Sequence, residues 1–353
     1  LTEEDYRPLH NDARWTAFMD SMRIYKHEDE DKREIAYPKK AVVKDTNAPT
    51  VKRYDIMLYI DVEKKKLAVT TTALIDFKGR ESIDFTLWKN STINHIRCKK
   101  KELAYSFDTQ DESTNTYIRQ GAPLHLTAPK NKGICSIAFD YTCNLDSIDT
   151  WMSSMEKDWV QLGYYIAWFP VNNDSRDFTA NVSISINKDY TVSGSGIVER
   201  KGDKWEMSQT WGSFDLQIVA SPSLKSKKMT NNGRTFEVVY TDFADADADS
   251  ALVACSKALQ FYTRLFKTNP NNDYMKFLVV PRRGGGISRK NFIAYATRRF
   301  NEHFKTAIGH EMGHFWWNKA PTFSWEDWLN EGFAEFSMLW YIKCHFDQHV
   351  FHC

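Results

Sequence analysis

The stretch IGHEMGHFWW, from Ile308 to Trp317, contains two histidines four residues apart and a glutamate directly after the first of them. Because a helix turns once in about 3.6 residues, His310 and His314 are expected on one face of a helix, where two imidazoles can bind one Zn²⁺. Glu311 is then expected to be the general base that takes a proton from a water activated by the metal. The alternative is that a buried helix has acquired two histidines by chance.

A catalytic zinc usually has three protein ligands, so a third is sought downstream. The pattern H-x-x-G-x-x-H is excluded, because Trp317 and Ala320 stand at its Gly and His positions. The stretch WEDWLNEGFAEF (325–336) offers Glu331 and Glu335 instead. A helical hairpin would return Glu331 to the histidines, whereas a solvated glutamate is the default for such a residue in isolation.

Composition and charge limit the function classes. The chain has 353 residues, long enough for two domains, and its 42% hydrophobic and 26% charged residues are typical of a globular protein. A net charge of +1 gives no electrostatic reason to expect nucleic acid or an anionic membrane as a partner. No apolar run approaches the roughly 20 residues of a membrane span, and no signal peptide is visible. The compartment stays open, exported or cell-envelope as well as cytoplasmic.

The hydrophobic period divides the chain into three predicted parts. Residues 1–47 are polar and are expected to form an extension. Residues 48–220 are expected to form a β-rich domain of antiparallel strands, because alternation runs through 54–62, 67–77 and 83–87, and further strand-like runs follow at 134–141 and 178–186. Residues 221–353 mix strands with helices, which predicts an α/β or α+β second domain. Its predicted elements are strands at 236–240 and 275–280, a helix at 249–266, a helix over the opening motif, and a last helix from Glu331 to about Phe346 with Asn330 as N-cap.

HEMGH followed by WLNEGFAEF resembles the paired zinc motif of the M1 metallopeptidases, the gluzincin aminopeptidases. The segments 54–62, 164–186 and 258–281 resemble other parts of that family. The resemblance implies an α+β protein, with an N-terminal antiparallel β-saddle or sandwich domain followed by a thermolysin-like catalytic domain. It assigns one Zn²⁺ to His310, His314 and Glu331, the base role to Glu311, and a peptide or protein as substrate.

Three departures from the family pattern affect these expectations. The spacing from His314 to Glu331 is two residues shorter than usual, which leaves Glu335 as a second candidate ligand. The sequence GGGISRKNF (284–292) replaces the family strand whose glutamate holds a substrate amine. Its glycines, Gly284, Gly285 and Gly286, are expected either to expose backbone for pairing with a peptide or to form a flexible turn. The family's catalytic tyrosine has no counterpart before residue 353, so the chain is expected to be truncated within the catalytic domain.

The sequence therefore predicts zinc-dependent hydrolysis of peptide bonds of the M1 aminopeptidase type. The alternative is a catalytically weak or inactive zinc-binding module that binds peptides. Hydrolysis of another substrate class by the same chemistry is a third option.

Overall fold

The computed structural model describes residues 45–110, 118, 120–130, 132–148, 152–268, 273–281, 285–320 and 327–345. Nearly all of the predicted extension, 1–47, lies outside these residues. Contacts divide the described chain between Ala307 and Ile308 into two compact units. The domain boundary predicted at residue 220 stays a prediction.

The larger unit contains an eight-stranded sheet in the order β13-β14-β11-β1-β2-β8-β4-β5. Its strands are β1 (Thr50–Asp61), β2 (Lys66–Asp76), β4 (Ser91–Cys98), β5 (Lys101–Glu102), β8 (Ile134–Asn144), β11 (Phe178–Ser185), β13 (Ile197–Lys201) and β14 (Lys204–Ser213). The predicted alternation is confirmed, since Tyr54, Ile56 and Leu58 are buried and their neighbours are more exposed. The expectation of a purely antiparallel sheet was wrong, because β1 and β11 pair in parallel. Alternation reports which face of a strand is buried and carries no information on the direction of its neighbour.

Two smaller sheets complete the predominantly β part of this unit. A four-stranded sheet has the order β12-β15-β10-β9, and a three-stranded sheet has the order β3-β7-β6. Their strands are β3 (Ser82–Trp88), β6 (Tyr105–Phe107), β7 (Gly121–Thr127), β9 (Ser154–Met155), β10 (Val160–Leu162), β12 (Thr191–Gly194) and β15 (Ile218–Ser221). Their apolar side chains share one core with the large sheet, and Trp88 and Trp168 are fully buried in it.

A five-stranded sheet follows in the order β16-β17-β18-β20-β19. Its strands are β16 (Lys225–Asn231), β17 (Arg234–Tyr240), β18 (Tyr274–Val280), β19 (Gly286–Arg289) and β20 (Phe292–Ala296). Helix α1 (Asp245–Phe266) connects the parallel strands β17 and β18. The helix and both strands were predicted, but α1 begins four residues before the expected 249. Acidic side chains at Asp245 and Asp247 favour a helix start there, since they lie at its positive end.

Two buried charge clusters lie in the larger unit. The Lys276 ammonium on β18 donates to Ser193 Oγ at 3.1 Å and to the Gly196 carbonyl at 2.8 Å, and lies 3.6 Å from Glu237 Oε2. Burial lowers the pKa of Lys276 to about 8, although the Glu237 carboxylate opposes that shift. In the second cluster the buried Asp215 carboxylate accepts from Arg289 Nε at 2.9 Å.

Asp215 has two further donors. Its Oδ1 accepts from the backbone N–H of Tyr164 at 2.9 Å, and its Oδ2 accepts from Gln217 Nε2 at 2.9 Å. The carboxylate is therefore bonded on both oxygens as well as paired with Arg289, which is the condition under which a buried charge is tolerated.

Within the described ranges, two further α-helices are α2 (Glu302–Gly313) and α3 (Asp327–His345). None of the helices in the described ranges is both long and apolar enough to cross a membrane. Asn330 was expected to cap the last helix but lies inside α3, which begins at Asp327. Its side chain bonds the backbone of Ala320 in both directions, at 3.1 Å to the N–H and 3.0 Å to the carbonyl. Asn330 therefore attaches α3 to the residues that follow α2, and Glu331 lies beyond the first turn.

Candidate metal centre

Three side chains of α2, the turn after it and α3 converge on one point. His314 lies one residue beyond α2, in a turn where Trp316 N–H still bonds the Gly313 carbonyl at 3.0 Å. The Nε2 atoms of His310 and His314 are 3.2 Å apart. Glu331 Oε2 is 3.4 Å from His310 Nε2 and 3.6 Å from His314 Nε2. The three residues predicted as ligands are thus brought together.

The dimensions of this triangle fit a zinc ion. Zinc bonds to imidazole nitrogen and carboxylate oxygen are about 2.0–2.2 Å long, so tetrahedral ligand atoms lie roughly 3.3–3.5 Å from one another. The three observed separations, 3.2, 3.4 and 3.6 Å, lie within or just outside that range. Two imidazoles and one carboxylate are also a donor set found in catalytic zinc sites, which keep a fourth position open.

The outer nitrogens of both histidines face oxygen acceptors. His310 Nδ1 is 3.0 Å from Glu335 Oε2, and His314 Nδ1 is 3.2 Å from the Trp317 carbonyl. A neutral imidazole has one N–H, and these acceptors favour its placement on Nδ1. Both Nε2 lone pairs then point at the same place as the Glu331 carboxylate, so three acceptors converge where a cation would satisfy them.

The electrostatics agree with this arrangement. When His310 is protonated on Nε2 as well as Nδ1, the Nε2 proton takes the place of the cation and bonds Glu331. Burial by itself would lower the pKa of His310, but this hydrogen bond and the charges of Glu311, Glu331 and Glu335 outweigh it, and the net shift is upward. The hydrogen bond from His310 lowers the pKa of Glu331 against the opposing effect of burial, and His314 lowers it further. The cluster thus attracts positive charge, whether a proton or a metal ion.

Close packing of α2 against α3 sets the positions of these groups. At Gly313 an added Cβ would lie 3.1 Å from Ala334 Cα, so the absence of a side chain permits this approach. The Trp317 ring stacks on Phe333 with centroids 4.7 Å apart, and its Nε1 donates to Ser337 Oγ at 3.0 Å. These contacts join the end of α2 to the middle of α3.

The remaining predicted residues have different surroundings. Glu311, the expected base, is buried, with 6% of its surface exposed. Glu335, which sequence reasoning kept only as a substitute ligand, instead contacts the outer nitrogen of His310. Its position four residues after Glu331 was a signal for a shared helix face that could have indicated this partnership. Gly284 lies outside the described residues, whereas Gly285 precedes β19 and Gly286 begins it.

Comparisons with known proteins relate the chain to peptidases. No protein-family model matches it. It is 28% identical over 301 residues to the membrane alanyl aminopeptidase of Manduca sexta, covering 77% of this chain and 29% of that protein. It is 24% identical over 168 residues to the aminopeptidase N of Haemonchus contortus, covering 44% and 17%. The chain thus spans less than a third of the length of these relatives.

The fold has a match among solved structures. The M1 zinc metallopeptidase from Deinococcus radiodurans aligns with a TM-score of 0.65 and 14% identity, over 86% of this chain and 73% of that one. At this identity the match shows the fold alone. Together with the two aminopeptidase relatives, it makes the chain similar to aminopeptidases in sequence and to M1 zinc metallopeptidases in fold.

Proposed function

We propose that this chain carries the zinc centre of an M1-type aminopeptidase and takes part in zinc-dependent hydrolysis of peptide bonds. The observation that carries the proposal is the triangle of His310, His314 and Glu331, whose edges of 3.2–3.6 Å suit tetrahedral zinc. The names of the aminopeptidase relatives support the substrate class. Because the chain spans less than a third of those relatives, the activity of the whole protein is part of the proposal.

In this proposal His310, His314 and Glu331 hold one Zn²⁺, and Glu335 orients His310. A bound zinc ion would supply Lewis acidity, which polarises a carbonyl and lowers the pKa of a water. Glu335 accepts the Nδ1 proton of His310 at 3.0 Å, which fixes the tautomer and directs Nε2 inward. The Trp317 carbonyl does the same for His314 at 3.2 Å.

Glu311 is the proposed general base. It follows His310 directly in α2, and its charge is among those that raise the pKa of that histidine. A buried carboxylate next to a proposed ligand histidine is suited to taking a proton from the attacking water and passing it to the leaving amine. This proton transfer is the step that the chain's own residues perform.

The finer architecture also belongs to the proposal. We assign the five-stranded sheet, the β17-α1-β18 crossover and the helices α2 and α3 to a thermolysin-like catalytic domain, preceded by a β-saddle domain. The match to an M1 zinc metallopeptidase structure supports the assignment. The order of the elements supports it too, since two helices bearing the metal ligands follow a sheet with a parallel crossover.

The substrate is proposed to pair with β19. This strand lies at one end of the sheet and pairs with β20 alone among the described strands, which leaves its other edge for an extended peptide. Gly285 and Gly286 allow a backbone to approach closely, and Gly284 is included as a sequence-based expectation. A free substrate amine would need a carboxylate, and β19 offers Ser288 and Arg289 instead. Cleavage at the substrate's N-terminus is therefore proposed only from the names of the aminopeptidase relatives.

This same strand favours the second candidate, a zinc-binding module that binds peptides with little or no turnover. Arg289 on β19 forms an ion pair with the buried Asp215 at 2.9 Å. Its charge is therefore paired within the protein and is not directed at a substrate. A module of this kind would keep the metal and the strand edge and would lack turnover.

A Glu311→Gln variant of the full chain tests the proposal. The variant is expected to keep about one zinc and to lose hydrolysis of aminoacyl fluorogenic substrates and short peptides by roughly 10²–10⁴-fold, the usual contribution of a general base. Glu302→Gln, on the same helix, is the matched control and should retain both. Equal activity in Glu311→Gln and the parent would disprove the mechanism. Zinc and peptide binding without turnover in the parent would favour the second candidate.

A further inference from the structure

Two cysteines lie across neighbouring strands at one end of the eight-stranded sheet. Cys98 is the last residue of β4 and pairs with Ile137 of β8. Cys135 stands two residues before Ile137 in β8, so it is on the same face and diagonally opposite Cys98. Both side chains are partly exposed and pack against the edge of the main core.

The two thiols interact with each other. Burial raises the pKa of the Cys135 thiol, and a hydrogen bond with the Cys98 thiol and the charge on that sulfur raise it further, while Lys99 opposes the shift. The diagonal register and this hydrogen bond both place the two sulfurs near one another, and both residues are partly exposed.

We propose that Cys98 and Cys135 are a redox pair that low-molecular-weight disulfides convert reversibly into a cross-strand disulfide. This modification site is independent of the metal centre and of peptide hydrolysis. Its reaction partner is a small dialkyl disulfide, of which glutathione disulfide is the test case.

The reaction is two thiol–disulfide exchanges. One cysteine loses its proton and attacks a sulfur of glutathione disulfide, whose S–S bond breaks as one glutathione thiolate leaves. The second cysteine then loses its proton and attacks the protein sulfur of the mixed disulfide, which expels the second glutathione. Two protein thiols are oxidised to one disulfide, glutathione disulfide is reduced to two glutathiones, and the two protons end on the glutathione thiols.

The geometry predicts a bridge that forms and breaks readily. Diagonal positions in an antiparallel pair have Cα atoms about 7–8 Å apart, slightly more than the roughly 4.4–6.8 Å of most disulfides. The end of β4 can supply this small movement, because the strand stops at Cys98 and Lys99 turns the chain with a φ of 58°. Because this disulfide would pull the strand ends together and would be exposed to solvent, it is expected to be reduced easily.

The surroundings favour an anionic oxidant. Lys99, Lys100 and Lys101 follow Cys98 directly, and glutathione disulfide carries net negative charge at neutral pH. Cys143, on the same strand as Cys135, is a natural contrast. It is buried, and burial raises the pKa of its thiol to about 12, so it has neither the access nor the ionisation that exchange requires.

The test is mass spectrometry of the folded full chain after incubation with glutathione disulfide, with a Glu-C and chymotrypsin digest to locate each linkage. In the expected product the Cys98 and Cys135 peptides together have lost about 2 Da, the two thiol hydrogens. Its Cys98 and Cys135 peptides are linked to each other, and dithiothreitol restores the starting mass. Cys344 is exposed, so a separate glutathione adduct on its peptide is expected and does not bear on the pair.

Single variants show whether the two cysteines act together. Cys98→Ser should trap glutathione on Cys135, and Cys135→Ser should trap it on Cys98, because the resolving thiol is gone. Cys143→Ser should form the same linked product as the parent. Stable glutathione adducts on both cysteines of the parent, a Cys98–Cys143 link, or no reaction at either residue would overturn the proposal.

Discussion

The buried charge clusters of the larger unit differ from the histidine cluster, which consists of His310, His314, Glu331 and Glu335, in how their charged groups are matched. Asp215 is fully buried and bonded by three donors, of which Arg289 is cationic. Lys276 likewise donates to oxygens at 3.1 and 2.8 Å beside the Glu237 carboxylate. In both clusters, donors meet acceptors and opposite charges meet, so each is complete in itself.

The histidine cluster brings acceptors together instead. With both Nδ1 atoms directed at oxygens, two imidazole lone pairs and a carboxylate oxygen lie within 3.6 Å of one another. The ion-pair partners of Glu331 and Glu335 among the described residues are these histidines rather than a lysine or arginine. A cluster whose donors and acceptors are matched stabilises a fold, whereas acceptors that converge at partly exposed positions are suited to binding a cation.

The largest expected effect of a substitution is on the complete cluster at Asp215. Asp215→Ala leaves the Arg289 guanidinium buried without its carboxylate and should reduce the free energy of unfolding by about 3–5 kcal/mol. Denaturant unfolding measures this change. The matched control is Glu156→Ala, which breaks a surface pair with Lys65 at 2.8 Å and should cost at most about 1 kcal/mol. Equal losses in the two variants would contradict the distinction between the pairs.

The histidine cluster should respond in metal affinity rather than in folding. His310→Ala removes one of the three proposed protein ligands, and since zinc sites bind with about 10–16 kcal/mol shared over their ligands, a loss of roughly 10²-fold or more in affinity is expected. Competition with a chromophoric chelator measures it, and Glu331→Ala should behave similarly. His303→Ala, seven residues earlier on α2, is the control. Unchanged zinc affinity in His310→Ala would remove the basis of the proposed function.

The sequence was sufficient to predict some features because they depend on local patterns. The two-residue alternation of β1 and β2, the helix containing Leu252 and Leu259, and the proximity of His310 and His314 follow from spacing along one chain, whereas Glu331 was chosen over Glu335 through the family resemblance. Helical geometry links residues four apart, so the approach of the two histidines was predictable without tertiary information.

Other features depend on partners that are distant in sequence. The parallel pairing of β1 with β11 joins residues about 126 positions apart, such as Tyr54 with Ala180. Asn330 looked like a cap because its type suits one, yet its amide bonds the backbone of Ala320. Lys276 lies in a run of apolar residues, and nothing in the neighbouring sequence indicates that Ser193 and Gly196 accept hydrogen bonds from its ammonium group.

The Lys276 cluster should show its depressed pKa as a pH dependence of stability. Lys276 has a pKa of about 8 when folded and about 10.4 when unfolded, so above pH 8 the unfolded chain binds more protons. The free energy of unfolding therefore gains from Lys276 as pH rises, by about 2 kcal/mol between roughly pH 7.5 and 10. Lys276→Met should lack this gain, and the exposed control Lys64→Met should follow the parent. Parallel curves for parent and Lys276→Met would place the lysine pKa near its ordinary value.

The smallest effect concerns the one member of the histidine cluster that is not a proposed ligand. Glu335→Gln keeps the shape of the side chain and an oxygen near His310 Nδ1, but it removes the charge that strengthens that hydrogen bond. Zinc affinity should fall by about 10-fold, at the lower end of the 10–100-fold typical for such outer partners, and Glu335→Ala should lose more. Glu302→Gln removes an exposed carboxylate that pairs with Lys305 at 2.6 Å on α2 and should leave the affinity unchanged.

Two outcomes would contradict this role for Glu335. If Glu335→Gln bound zinc as tightly as the parent while Glu331→Ala did not, Glu335 would make no contribution to zinc binding. If Glu335→Gln lost as much affinity as Glu331→Ala, the shortened spacing after His314 would instead have moved Glu335 into the role of ligand.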